Sequence, residues 1–98
     1  MPRAVTGVSV ADSMTYPKRL DGLEINPAEG GFIIYQAEKD RVHFLNHTAV
    51  LILELCDGRR SPDEIGELVK AAFALERLPE RTVEEALARL RHEGLVAE

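Results

Sequence analysis

The chain has 98 residues, 45% of them hydrophobic and 30% charged, and carries a formal net charge of −5. That length accommodates one domain with one small core; the composition excludes a disordered chain, and the acidic balance disfavours a large nucleic-acid footprint. A single cysteine excludes an internal disulfide framework and a cysteine-built zinc site, and suits a reducing compartment.

Residues 1–19 show no helical period and few large apolar side chains, so they read as a flexible N-terminal tail ahead of a domain over residues 20–98. They lack the apolar core of a signal peptide. The longest apolar run, residues 49–53, falls far short of the ~20 residues of a membrane span. The expected setting is cytoplasmic, with no membrane partner.

Residues 20–46 are strand-like. Leu23, Glu24 and Ile25 alternate, residues 26–31 form a turn cluster, and residues 32–35 are rich in β-branched and aromatic side chains. A polar turn over residues 38–40 precedes a third strand, Arg41, Val42, His43, Phe44 and Leu45. These three strands form an antiparallel meander that needs helices on one face. Asn46 or Thr48 caps a first, nearly all-apolar helix that ends at Asp57 and Gly58. Ser61, Pro62 and Glu64 make a capping box for a second helix, with Ile65, Leu68, Val69, Ala72 and Phe73 as its core stripe. A third helix begins near residues 79–82, carries Val83, Ala86, Leu87 and Leu90 as its stripe, and stops at Gly94, after which Leu95 and Val96 fold back on the core. The fold class is therefore α+β: a three-stranded antiparallel sheet followed by three helices.

No constellation reads as catalytic. His43, His47 and His92 lack metal-ligand spacing, Cys56 lies on a buried helix as an inert thiol, and Gly30 and Gly31 make a hairpin rather than a phosphate cradle. The expectation is a non-enzyme with no cofactor and no metal. Arg59 and Arg60 read as a solvated corner. Arg81, Arg89 and Arg91 stand among acids on the last helix as a solvent face, from which one or two can steer an acidic peptide.

What remains is the sheet edge. Residues 41–45 form a rather apolar edge strand, and such edges invite pairing. With the last helix beside it, Leu87 and Leu90 would supply the second wall of a groove suited to β-strand addition. The same unblunted edge leaves homodimerisation open.

The block Val42-His43-Phe44-Leu45-Asn46-His47-Thr48-Ala49, followed by Ile52-Leu53-Glu54-Leu55-Cys56-Asp57-Gly58 and Arg60-Ser61-Pro62-Asp63-Glu64-Ile65, resembles the PqqD family. The resemblance covers roughly residues 16–96. It implies a RiPP recognition element, a small winged-helix-like domain that binds the leader segment of a ribosomally made precursor peptide and presents it to a modifying enzyme, often a radical SAM protein. It further implies that the leader adds as a strand beside the third strand and lies against the third helix. Carried onto this chain, the peptide-binding residues are Arg41, Val42, His43, Phe44 and Leu45 on the strand, and Val83, Leu87, Leu90 and Arg91 on the helix. Two other functions compete. A winged-helix DNA-binding regulator needs a basic recognition helix, yet the second helix has Lys70 against Asp63, Glu64 and Glu67. A structural partner subunit would bind an enzyme without reading a peptide.

Overall fold

The computed structural model describes residues 16–97; residues 1–15 of the tail expected over residues 1–19 lie outside them. Along the chain run β1 (Lys18–Arg19), β2 (Leu23–Ala28), β3 (Gly31–Gln36), a 3-10 turn (Ala37–Lys39), β4 (Arg41–Asn46), α1 (His47–Leu55), α2 (Pro62–Ala72), α3 (Glu80–His92) and β5 (Val96–Ala97). The β-β-β-α-α-α order expected from the sequence stands, framed by one short strand at each end.

Strands β2, β3 and β4 form an antiparallel meander with β3 in the centre. Ile25 pairs with Ile34, which in turn pairs with His43; on the next register step Ile33 pairs with Phe44. Because side chains alternate across a strand, Ile25, Ile34 and Leu45 share the inner face, where α1 packs. Ile33, Tyr35, Val42 and Phe44 share the outer face, where Val42 is 64% and Phe44 48% exposed. β2 runs on to Ala28, past the Ile25 at which the sequence reading places the turn. The turn is the two residues Glu29 and Gly30, with Gly30 at φ +79, and Pro27 is tolerated because β2 is an edge strand. Gly31 admits no side chain: a Cβ there would sit 2.2 Å from the Leu45 carbonyl oxygen.

The helices start where local chemistry starts them. Asn46 Oδ1 accepts from the Ala49 N–H at 2.8 Å, taking the N-cap that Thr48 also offered. Ser61 Oγ accepts from the Glu64 N–H, and Glu64 Oε1 accepts from the Ser61 N–H, closing the expected capping box. Ile52, Leu53, Ile65, Val69, Leu87 and Leu90 meet in one core with the inner sheet face. The stripe of α2 is narrower than its spacing implies: Leu68 and Phe73 remain largely exposed.

Residues 17–19, ahead of the boundary expected at residue 20, pack on the domain. Pro17 is buried, the Gly58 N–H donates to its carbonyl at 2.9 Å, and the Arg19 N–H donates to the Cys56 carbonyl at 2.8 Å. β1 pairs antiparallel with β5, Lys18 opposite Ala97 and Arg19 opposite Val96. Two-residue strands carry no period, so the sequence pattern does not reveal them.

Candidate functional site

β4 is an edge strand: among the described residues no strand pairs with its outer side. In an antiparallel ladder, alternate residues turn both backbone groups toward the same neighbour. The Phe44 carbonyl accepts from Arg89 Nη2 on α3 at 2.8 Å, so it points away from β3. Phe44 and, two residues back, Val42 therefore belong to the outward set, while His43 and Leu45 bond to β3. The open edge thus offers the N–H and C=O of Val42 and Phe44, with the Phe44 carbonyl held by a side chain.

A chain of polar contacts ties this edge to the end of α3. Arg89 Nε donates to Glu93 Oε2 at 2.9 Å, and Glu93 Oε1 lies 3.1 Å from His43 Nδ1. His43 Nε2 lies 3.2 Å from Gln36 Oε1, and Gln36 Nε2 donates to the Gly94 carbonyl at 2.9 Å. Gln36 is the buried polar residue of the core, and this network satisfies it. The Glu93 carboxyl is held below the usual carboxylate range: burial pushes it up, but the hydrogen bond and charge of Arg89, with those of His43, outweigh that.

The strand residues of the expected site divide by face. Arg41, Val42 and Phe44 are exposed, His43 is half-buried in the polar network, and Leu45 is fully buried in the core. The helix residues do not form the expected wall. Val83, Leu87 and Leu90 are buried under α3, 2% exposed or less, and face the core. The apolar stripe of an amphipathic helix serves the side it packs on, and here that side is the core shared with α1 and α2. Arg91 lies near enough to Cys56 to influence its thiol. Arg89 on α3 and Glu93 at its C-cap reach β4. Their i,i+4 spacing is visible in the sequence, but their partners on β4 are not.

Other features carry no chemistry. A cavity of about 330 Å³ between the starts of α2 and α3 is lined by Asp63, Glu80, Arg81 and Glu84 with apolar neighbours, and holds no histidine or thiol. Among the described residues no group of three or more His, Cys, Asp or Glu is placed to hold a metal ion, and no helix is long and apolar enough to cross a membrane. Cys56 is buried, its Sγ donating to the Ile52 carbonyl at 3.1 Å, and burial pushes its thiol up to about 11 against a smaller downward pull from Arg91.

Comparison with known proteins agrees with the fold. The family model described as coenzyme PQQ synthesis protein D (PqqD) matches residues 31–96. Two solved structures share the fold. One is a lasso peptide synthetase B1 complexed with the leader peptide, 18% identical, covering 84% of this chain and 98% of its own, with a TM-score of 0.65. The other is the solution NMR structure of the PqqD truncation of Methylobacterium extorquens PqqCD, described as a functional and stand-alone RiPP recognition element; it is 19% identical, covers 84% of this chain and 88% of its own, and has a TM-score of 0.61. No curated protein sequence matches the chain significantly.

Proposed function

The chain belongs to the PqqD family, and from that premise we propose that it is a non-catalytic recognition module that binds the leader segment of a ribosomally synthesised precursor peptide. The fold is shared with a lasso peptide synthetase B1 that was solved with a leader peptide, and with a PqqD domain described as a RiPP recognition element. The observation that carries the reading is the edge of β4, where Val42 and Phe44 turn their backbone groups outward beside α3. A peptide added there gains main-chain hydrogen bonds from the edge and side-chain selection from whatever flanks it. The proposed binding set is the outward residues Val42 and Phe44, with Arg41, His43, Arg89 and Glu93 around them; Leu45, Val83, Leu87 and Leu90 support it from the core.

The partner that receives the peptide is a modifying enzyme, of which a radical SAM protein is the type the family resemblance suggests. A cytoplasmic setting fits the single buried thiol. Pairing of two copies through β4 is the competing use of the same edge.

Amide NMR shift mapping of the labelled chain tests the reading, with synthetic leader segments of precursor peptides encoded beside its gene as ligands. Shifts are expected on residues 41–46 and on Arg89 and Glu93, in the absence of any enzyme. A folded chain that shifts with none of them at high micromolar peptide would favour a scaffold that binds its enzyme without reading a peptide.

A further inference from the structure

Resting on the edge reading above, we propose that Arg89 is a latch on that edge and selects a carboxylate side chain in the incoming peptide. Arg89 Nη2 donates to the Phe44 carbonyl at 2.8 Å, the same oxygen an added strand must use. The guanidinium stands on the outward side of that oxygen, where the N–H of an added strand has to approach, so the peptide N–H displaces it. Arg89 does not leave the groove when that happens. Its Nε stays on Glu93 Oε2 at 2.9 Å, and Glu93 is itself fixed by His43 on β4.

The displaced guanidinium thus stands beside the new strand with its outer N–H groups turned to the peptide. Glu93 is engaged through Nε alone, which leaves the two Nη groups to the peptide. A planar fork of N–H donors held in one place is matched by a carboxylate in bidentate geometry. An Asp or Glu on the peptide restores what Arg89 gave up at Phe44; a neutral side chain does not.

This exchange gives Arg89→Ala opposite effects on two ligands. Removing the guanidinium frees the Phe44 carbonyl, which helps any peptide, but it also removes the partner of an acidic one. A displayed library of random peptides, about 15 residues long to span the edge, is selected on the full chain. Each winner is remade as a free peptide in two forms, one unchanged and one with Asp and Glu replaced by Asn and Gln. Calorimetric titration then gives the affinity of both forms for the wild-type chain and for Arg89→Ala, with circular dichroism to confirm the fold.

The unchanged form is expected to bind Arg89→Ala about tenfold more weakly than wild type. The amide form is expected to bind the variant about threefold more tightly. Equal changes for the two forms, or no change, overturn the latch. They leave strand addition standing if the winners shift amides on residues 41–46 of the wild-type chain. A wild-type selection that yields no binder, or binders that shift residues elsewhere, overturns the edge reading and the latch with it.

Discussion

His43 Nδ1 and Glu93 Oε1, 50 residues apart in the chain, lie 3.1 Å from each other and join the edge strand to the end of the last helix. The contact is shielded: the His43 side chain is 9% exposed. Its other ring nitrogen faces Gln36 Oε1, and Gln36 commits its amide N–H group to the Gly94 carbonyl. Glu93 therefore fixes both sides of the groove, Arg89 on the helix and His43 on the strand. It is the hub on which the edge geometry depends.

That hub has a pH signature. A carboxylate held low in the folded state adds stability that is fully present above its ordinary value of 4.5 and is lost as the pH falls through the lowered one. Glu93→Gln removes this contribution. Urea denaturation at pH 5 and pH 3 is expected to show a smaller loss in the variant than in wild type, and identical losses would mean that Glu93 adds nothing through its charge.

Leu90 reports on the core and not on the groove. It is fully buried with Leu87 among Ile65, Val69 and Leu53, so Leu90→Ala is expected to destabilise the chain by about 2–5 kcal/mol. Peptide affinity of the folded fraction should stay within about threefold of wild type, because the side chain does not reach the edge. A folded Leu90→Ala protein with much weaker binding would return this position to the peptide wall.

Proline distinguishes the two sets of backbone groups on β4. The Phe44 N–H points outward, so Phe44→Pro leaves the β3 ladder intact and deprives an added strand of a donor. Leu45→Pro removes an inward donor as well as a core side chain. The expected outcome is a folded Phe44→Pro protein that no longer binds peptide, and a Leu45→Pro protein that is unfolded by circular dichroism. Retained binding by Phe44→Pro would place the peptide on another surface.

Cys56 sets an alkaline limit. Its thiol is raised from 9.0 to about 11 by burial, so the stability it contributes is present below pH 9 and drains as the pH climbs through 11. Between pH 8 and pH 10.5 this amounts to about 2 kcal/mol at most. Cys56→Ala should lose less stability over that interval than wild type, measured by denaturation at both pH values. Equal losses would show that the thiolate forms without opening the core.

The sequence pattern revealed the parts of this molecule whose signals are local. The Asn46 cap and the Ser61–Glu64 box each join residues three positions apart and stand as expected. The meander and the three helices followed from period and turn chemistry. The β1–β5 pair did not, since its two-residue strands are separated by the 76 residues between Arg19 and Val96. On α3 the spacing of Val83, Leu87 and Leu90 identifies an apolar stripe but not what it faces, and the core claims it. Arg89 was legible as a charge on a solvent face; that it bonds a strand carbonyl 45 residues away depends on the tertiary arrangement.

The β1–β5 pair also governs how this module is carried. Lys18 lies opposite Ala97, so a polypeptide attached before the domain and one attached after it depart from a single corner. A tether on either side has the same origin, and exchanging one attachment for the other leaves the module at nearly the same place relative to what it is joined to. Tension drawn between the two attachments falls first on this small clasp and on the backbone bond from Leu20 to Leu95, ahead of the β2–β3–β4 meander.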